Sequence, residues 1–580
     1  MDIEKIKSWL KKEWHMPVSQ KLNNIIKTFS LTEKVVFYLF VIIFASSAVA
    51  MVYKISQNFL VEVPDYGGSL TEGVLGSPRF INPLLAVSDI DKDLSALIYS
   101  GLTKIDQDGN IVPDLAESFS VSEDGLSYVF ILKDAYFHDG TKVTPDDIIF
   151  TIEKAQDPLL KSPRESNWTG VRLEKIDEKT VSLNLRQPYS PFIQNTTLGI
   201  LPKHIWSSVS IEEFPFSQFN TNPIGSGPYK IDSISYTGSG FPSEYKLASF
   251  NKYSLGRAYI DTITIKSYKT EKDLIAAYKN GNVESFHSIS KESLPEIDTE
   301  KTSIELATLP RVFGLFFNQN VAPIFINKEV RSALDLALDK NLLVETVLGG
   351  MGQIIDSPIP PSSVVENSNE MSPEERIEEA RKILTNRGWK LNESGFFEKT
   401  EGSKVTPLAF SISTGNVPEL KESAMIMKDS WEKFGAQVEV KIFEIGDLNQ
   451  NIIKTRKYDS LLFGEVVGKD LDLYPFWHSS QRNSPGLNIA MYTNIRADKI
   501  LENIRGTTDR DTRNEYFENL KTEIQTDIPA VFTYSPYFTY AVPGKIKNIE
   551  LHTLGTPSER WSNVSSWYIE TNKVWKIFLK

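Results

Sequence analysis

One uncharged run, VVFYLFVIIFASSAVAMVY at residues 35–53, constrains this chain more than any other feature, because it is long enough to cross a bilayer as a helix and offers no charged face to water. Lys5, Lys7, Lys11, Lys12, Lys21, Lys27 and Lys34 precede it, whereas after Lys54 the next charged residues are Glu62, Asp65 and Glu72. That lysine bias keeps the N-terminus in the cytoplasm and sends the rest of the chain out of the cell. Ala48-Val49-Ala50 has the small-residue form of a signal-peptidase site. The segment ahead of the run is long for a signal peptide, so an uncleaved, single-pass signal anchor is expected. The arm IEKIKSWLKKEW fits either an amphipathic helix on the inner membrane face, with Ile3, Ile6, Trp9 and Leu10 on one side, or a solvated flank.

With 580 residues, 41% of them hydrophobic, the chain is long for a single core, and more than one lobe is expected. A net charge of −12 and the lack of a Lys/Arg tract outside the N-terminal arm argue against nucleic acid as a partner. The absence of cysteine excludes disulfides, a thiolate nucleophile, zinc–thiolate ligation and a lipidated cysteine anchor.

No internal repeat follows. LSYVFILKD and TVSLNLRQP alternate apolar and polar residues and predict half-buried strands. VRSALDLAL puts Val330, Ala333, Leu334, Ala337 and Leu338 on one helical face, with Gly349-Gly350 stopping the helix after it. In SPEERIEEARKILTNRG, Ser372 as N-cap, Pro373 at the first helical position, Glu375 closing a capping box and Gly388 beyond the end predict a helix with both termini marked. PLAFSIS, PELKESAMIMKDSWEKFG and AQVEVKIFE have the lengths of a strand-helix-strand crossover between parallel strands.

AYFHDGTKVTPDDIIFTI tests for catalysis, since it sets His138 beside Asp139 and adds Asp146 and Asp147. Thr144-Pro145-Asp146-Asp147 has the form of a helix start, and His138-Asp139-Gly140-Thr141 that of the turn before it. No G-x-S-x-G, Walker A or H-E-x-x-H sequence is present. The histidines (His15, His138, His204, His287, His478, His552) are scattered without metal-ligand spacing. Asp106/Asp108 and Asp89/Asp91/Asp93 suit turns and helix starts and lack EF-hand spacing. The reading is a non-enzyme without metal or cofactor.

The order of four segments carries further. GSPRFINPLL, then IYSGLTKIDQDGNIVPDLAESFSVSEDGLSYVFILKDAYFHDGTKVTPDDIIFTI, then NPIGSGPYKI, then VRSALDLALDKNLLVETVLGGMGQIIDSPIPP closely resemble the family 5 extracellular solute-binding proteins, the oligopeptide, dipeptide and nickel-binding components of ABC importers. The resemblance implies an α/β, two-lobed periplasmic-binding-protein type II fold with an extra subdomain. Its expected division is a cytoplasmic arm (1–34), a membrane anchor (35–54), a tether (55–65), a first lobe (66–103, 221–309 and 532–580), an extra subdomain (104–220) and a second lobe (310–531). Hinges are then expected at Leu309-Pro310 and Val531-Phe532. It also implies a peptide ligand, ABC permease subunits as partners in the membrane, and a monomeric binding lobe.

The segment similar to the family's acidic ligand loop is GEVVGKDLDLYPFWHSSQRNSPGLNIAMY, in which Asp470 and Asp472 are candidates to meet a ligand ammonium. Its Lys469-Asp470-Leu471-Asp472 departs from the usual Gly/Asp-Pro-Asp pattern. Tyr474, Trp477 and Asn488 in the same segment, and Phe313 and Asn318 in RVFGLFFNQN, are the further ligand-binding candidates. The acids also fit a solvated helix start, and the aromatics fit core packing. A non-peptide solute, either a metal chelate or an oligosaccharide, and a ligand-sensing receptor are the alternative functions.

Overall fold

The computed structural model describes residues 25–106, 109–365, 367, 371–507 and 509–576, with backbone alone at 55–58. Ile3, Ile6, Trp9 and Leu10 of the basic arm, and Asp108, lie outside the described residues. The chain divides into two compact units, Met1–Asp65 with Thr571–Lys580, and Tyr66–Glu570.

In the first unit the helix Leu31–Asn58 starts from a reciprocal cap, in which Ser30 N–H donates to Glu33 Oε2 at 2.7 Å and Glu33 N–H donates to Ser30 Oγ at 3.4 Å. Its stretch Leu31–Lys54, 24 residues, is long and apolar enough to cross a membrane. Leu39, Ile42, Phe44 and Val52 are among its exposed side chains, and a helix apolar on all sides has no face suited to water. Strand Leu60–Pro64 pairs antiparallel with Thr571–Trp575, and Phe59 stacks on Trp575 at 6.4 Å. Part of the expected tether is therefore a two-stranded ribbon.

The second unit has two lobes and an extra subdomain. A twelve-stranded sheet runs in the order Gln437–Phe443, Ala409–Gly415, Ser460–Val466, Arg311–Phe317, Ala530–Pro543, Ser285–His287, Ser69–Leu75, Thr262–Tyr268, Pro242–Ser249, Tyr229–Tyr236, and Thr302–Thr308 and Gly352–Ile354 pair in addition with Ala530–Pro543. The expected crossover is present: Ala409–Gly415 and Gln437–Phe443 pair in parallel, joined by the helix Pro418–Phe434. That helix buries Leu420, Ala424, Met427 and Trp431, and the Trp431 indole donates to Leu334 O at 2.9 Å. Period-two alternation along Arg311–Phe317 divides its side chains between two cores, Leu315 and Phe317 facing one and Val312 and Phe316 the other. The helix Pro373–Thr385 has its Ser372/Glu375 capping box, with Gly388 at φ 86°.

The extra subdomain carries a four-stranded sheet in which Ser127–Leu132 and Thr180–Asn184 are central antiparallel neighbours. Beside it the helix Pro145–Gln156 starts at Thr144, and Asp147 accepts from Thr144 N–H at 2.8 Å and from Lys203 N–H at 2.8 Å. His138 does not pair with Asp139. Its ring bridges Gly227 O, at 3.1 Å from Nε2, and Gly225 N–H, at 3.3 Å from Nδ1, and burial lowers its pKa to about 4. Asp139 meets His204 instead, at 2.7 Å. These residues tie a turn and a helix start to the GSGP loop.

Two strands connect the lobes. Ala530–Pro543 pairs with Arg311–Phe317 through residues 530–534 and with Thr302–Thr308 through residues 537–543. The crossing on this strand therefore lies near Ser535-Pro536. The expected position, Val531-Phe532, is still paired with Leu315 and Gly314, and both side chains sit in second-lobe cores.

Candidate functional site

The strand Ser460–Val466 ends in the loop that carries both candidate acids, and the loop reaches across to the other elements. Lys469 Nζ lies 3.2 Å from Glu559 Oε2 of the first lobe. Tyr189, which follows the extra subdomain's sheet, directs its hydroxyl at Asp472 Oδ2 (3.4 Å) and Asp470 Oδ2 (3.5 Å). Gly468 at φ 82° lets the loop fold back, and a Cβ there would lie 2.8 Å from Asp470 Oδ1.

The two acids differ in what already holds them. Asp472 takes a bidentate pair from Arg505, Nε–Oδ1 at 2.9 Å and Nη2–Oδ2 at 2.5 Å, and so is neutralised inside its own lobe. Arg513 reaches only the backbone of Asp470, donating to its carbonyl at 2.5 Å. Burial, followed by repulsion from Asp472, pushes the Asp470 carboxyl above the usual carboxylate range. Asp470 thus has carboxylate capacity left for a cation. Tyr474 is held between the His478 ring, stacked at 4.1 Å, and the Arg505 guanidinium at 4.0 Å.

The remaining candidates lie deeper. Trp477 is fully enclosed by Phe316, Tyr492 and Phe532, near Glu465, whose carboxyl burial pushes well above its usual range. The fully buried Asn488 amide donates to His478 O (3.2 Å) and Tyr492 O (3.0 Å) and accepts from Tyr492 N–H (3.0 Å). Asn318, also fully buried, donates to Arg456 O at 2.9 Å at the end of Arg311–Phe317 remote from the hinge. These three side chains are buried in packing and turn geometry. Phe313 stacks on Tyr534 at 5.2 Å, opposite Gly464, whose missing side chain makes room for the ring.

Sequence reasoning missed a cavity of about 250 Å³ between the helix Asp89–Ile98 and the extra subdomain, lined by Lys92, Ser95, Tyr99, Arg164, Asn195 and Glu559 among others. Ser95 Oγ, Tyr99 Oη and Arg164 Nε are buried there with no hydrogen-bond partner. Burial lowers the Arg164 pKa, and no anion among the described residues offsets it. A second cavity of about 160 Å³ shares Tyr99 and Glu559 and adds Lys104, Asp114 and Trp561. Glu559, lining both, is the residue that Lys469 grips from the second lobe.

Residues 110–485 match the model of the bacterial extracellular solute-binding proteins, family 5 Middle, over more than half of the chain. The chain belongs to this family. It is similar to the oligopeptide-binding protein AppA of Bacillus subtilis, 30% identical over 519 residues that cover 87% of this chain and 92% of that one. Among solved structures it is similar to AppA from Bacillus subtilis in complex with a nonapeptide (27% identity, TM-score 0.63, covering 88% and 100% of the two chains). It is also similar to NikZ from Campylobacter jejuni in complex with Ni(L-His) (26% identity, TM-score 0.64, covering 86% and 99%).

Family 5 solute-binding proteins are extracytoplasmic binding components of ABC transporters and not enzymes. In such a protein the site needs charge and hydrogen-bonding capacity without a nucleophile. A cluster that could hold a metal, Glu72, Asp93 and His287 with ligand atoms within 4.8 Å of one another, is filled by Arg560, which binds Glu72 Oε1 and Asp93 Oδ1 at 2.5 and 2.6 Å. Both carboxylates are spent on that guanidinium, so the cluster does not fit a metal ion.

Proposed function

We propose that the chain captures peptides between its lobes and delivers them to an ABC permease, held to the outer face of the cell membrane by an uncleaved helix at Leu31–Lys54 with its N-terminus in the cytoplasm. The observation that carries the reading is the pair of unequal charges: Arg164 is buried without an anion, while the Asp470 carboxylate has no cationic side chain hydrogen-bonded to it. A peptide supplies both missing partners, its ammonium for Asp470 and its carboxylate for Arg164 and Lys92, and its backbone suits the unpartnered Tyr99 and Ser95 hydroxyls. Similarity to AppA, solved with a nonapeptide, supports the same class of ligand. Tethering keeps the effective concentration of the binding lobe high at the membrane, so even weak docking to the permease suffices.

Native mass spectrometry of the detergent-solubilised full chain, with release of bound molecules, tests this. Peptides of mixed sequence are expected. An empty chain with no thermal shift in peptide pools would overturn the reading. A metal chelate is the second reading, favoured by similarity to NikZ in complex with Ni(L-His). Stoichiometric nickel in the purified chain would replace the first reading with the second.

A further inference from the structure

The cavity of about 160 Å³ shares a wall with the one that Arg164 lines. Ala96, Tyr99, Thr197, Ser558 and Glu559 border both, so a peptide lying along the first can turn one side chain past Tyr99 into the second. The space admits a group of several heavy atoms, more than a single bound water needs.

The surrounding elements fix its polar groups. Lys104 lies on the strand Thr103–Ile105, which pairs antiparallel with Ile111–Pro113 and so brings Asp114, the next residue, to the same cavity. Asp114 is buried, and Ser254 Oγ donates to its Oδ1 at 2.8 Å. Lys104 Nζ donates to Ser562 O at 3.4 Å, which uses one of its three N–H donors. Trp561 comes from the segment Pro557–Ser566, with the Arg560 guanidinium 4.7 Å from its ring and the Trp567 ring at 5.3 Å. Its indole Nε1 and the Ser100 Oγ are buried with no hydrogen-bond partner among the described residues. A buried donor left unpaired is costly, and a ligand group that pairs it recovers that cost.

Charge decides which group fits. Lys104 and Asp114 have opposite signs, and Glu559 is answered by Lys469 at 3.2 Å, so the charges lining the cavity cancel. Burial pushes the Asp114 carboxyl above the usual carboxylate range and the Lys104 ammonium below its own. A further ammonium or carboxylate would enter without a counter-charge. An alkyl chain would leave Trp561 Nε1 and Ser100 Oγ unpaired. A primary carboxamide avoids both faults, since its carbonyl accepts from the Trp561 indole or Lys104 and its NH2 donates to Asp114 or Ser100.

We propose that this cavity is a side-chain pocket of the peptide site and that it selects the carboxamide of glutamine or asparagine. The inference rests on the peptide reading and deepens it by naming the kind of residue that the site singles out.

Calorimetry on the detergent-solubilised full chain tests it. The probes are nonapeptides of glycine and alanine with one glutamine or asparagine at each position in turn, beside the same sets carrying glutamate, lysine or methionine. At one position an amide should bind about tenfold tighter than the other three, the worth of one or two hydrogen bonds, and elsewhere it should hold no advantage over methionine. Trp561→Phe keeps a ring, removes the indole N–H and should erase most of that amide-to-methionine ratio. Ser100→Ala, a smaller change, should lower the same ratio and serves if Trp561→Phe does not fold. Asp114→Asn leaves Lys104 without its counter-charge and should shift the preference at that position toward glutamate. Peptide binding with no amide advantage at any position would overturn the pocket and leave the peptide reading standing. An amide advantage that survives all three variants would do the same. If none of the peptides binds, the peptide reading falls and the pocket with it.

Discussion

Arg164 and Arg560 are both guanidiniums withdrawn from water, and they differ in what they meet there. Arg560, fully buried, finds Glu72 and Asp93, so removing it strands two carboxylates. Arg560→Met should lower stability by about 3–5 kcal/mol in chemical denaturation. Burial alone would raise the Asp93 pKa, but Arg560 prevails and holds it at about 2, below the ordinary carboxylate range. With the folded pKa depressed, Asp93's contribution is fully present above about pH 4 and is lost as pH falls toward 2, so the wild-type chain should lose stability across that window more steeply than Arg560→Met. Arg164 has no such partner, and its prediction concerns ligand. Arg164→Met should weaken a free-acid peptide about 10- to 100-fold, the worth of a charged hydrogen bond, and leave the amidated peptide nearly unchanged by calorimetry. Asp470→Asn should weaken binding, whereas Asp472→Asn should act first on stability, by releasing Arg505; equal affinity losses with equal stability would contradict the assignment. The two acids are legible in the order of motifs. Which one is already neutralised is not, because Arg505 and Tyr189 are remote in sequence, and Arg164 lies in a loop where no periodicity marks burial.

At the scale of elements, legibility follows how local the determining physics is. The helix Pro373–Thr385 is written out in its own residues, with Ser372 accepting from Glu375 N–H at 3.3 Å and Glu375 Oε2 accepting from Ser372 N–H at 2.9 Å. Ser372→Ala should therefore cost about 1 kcal/mol and lower the melting temperature, with ligand affinity unchanged. The parallel crossover was equally readable, since strand, helix and strand each show their own period. The hinge was not. Ala530–Pro543 is one continuous strand, and its partners change along it from Arg311–Phe317 to Thr302–Thr308. A change of partner inside one strand is set by residues remote in sequence, and Val531 and Phe532 still pair with Leu315 and Gly314. His138 shows the same limit: its turn is local and legible, but its partners, Gly225 and Gly227, come from the GSGP loop.

For the whole molecule, the fold was carried by the order of four segments spread over most of the chain, and the membrane helix by a single one, so the two arguments are independent. Their junction is where sequence said least. Leu60–Pro64 has a partner only because Thr571–Trp575 arrives from the far end of the chain. A two-stranded ribbon is marginal in water, whereas the strand Ala530–Pro543 is paired along both edges and buried over nearly its whole length. Hydrogen exchange on the full chain in detergent should separate them: amides of residues 60–64 should exchange fast, through local opening, and those of residues 530–543 only at the rate of global unfolding. Deleting residues 571–580 should expose residues 60–64 to protease without moving the melting temperature of the unit Tyr66–Glu570, whose cores contain none of the deleted residues. Slow exchange at residues 60–64, or a melting temperature that falls with the deletion, would mean that the ribbon is part of the cooperative fold. The binding unit would then depend for its stability on the segment that links it to the membrane helix.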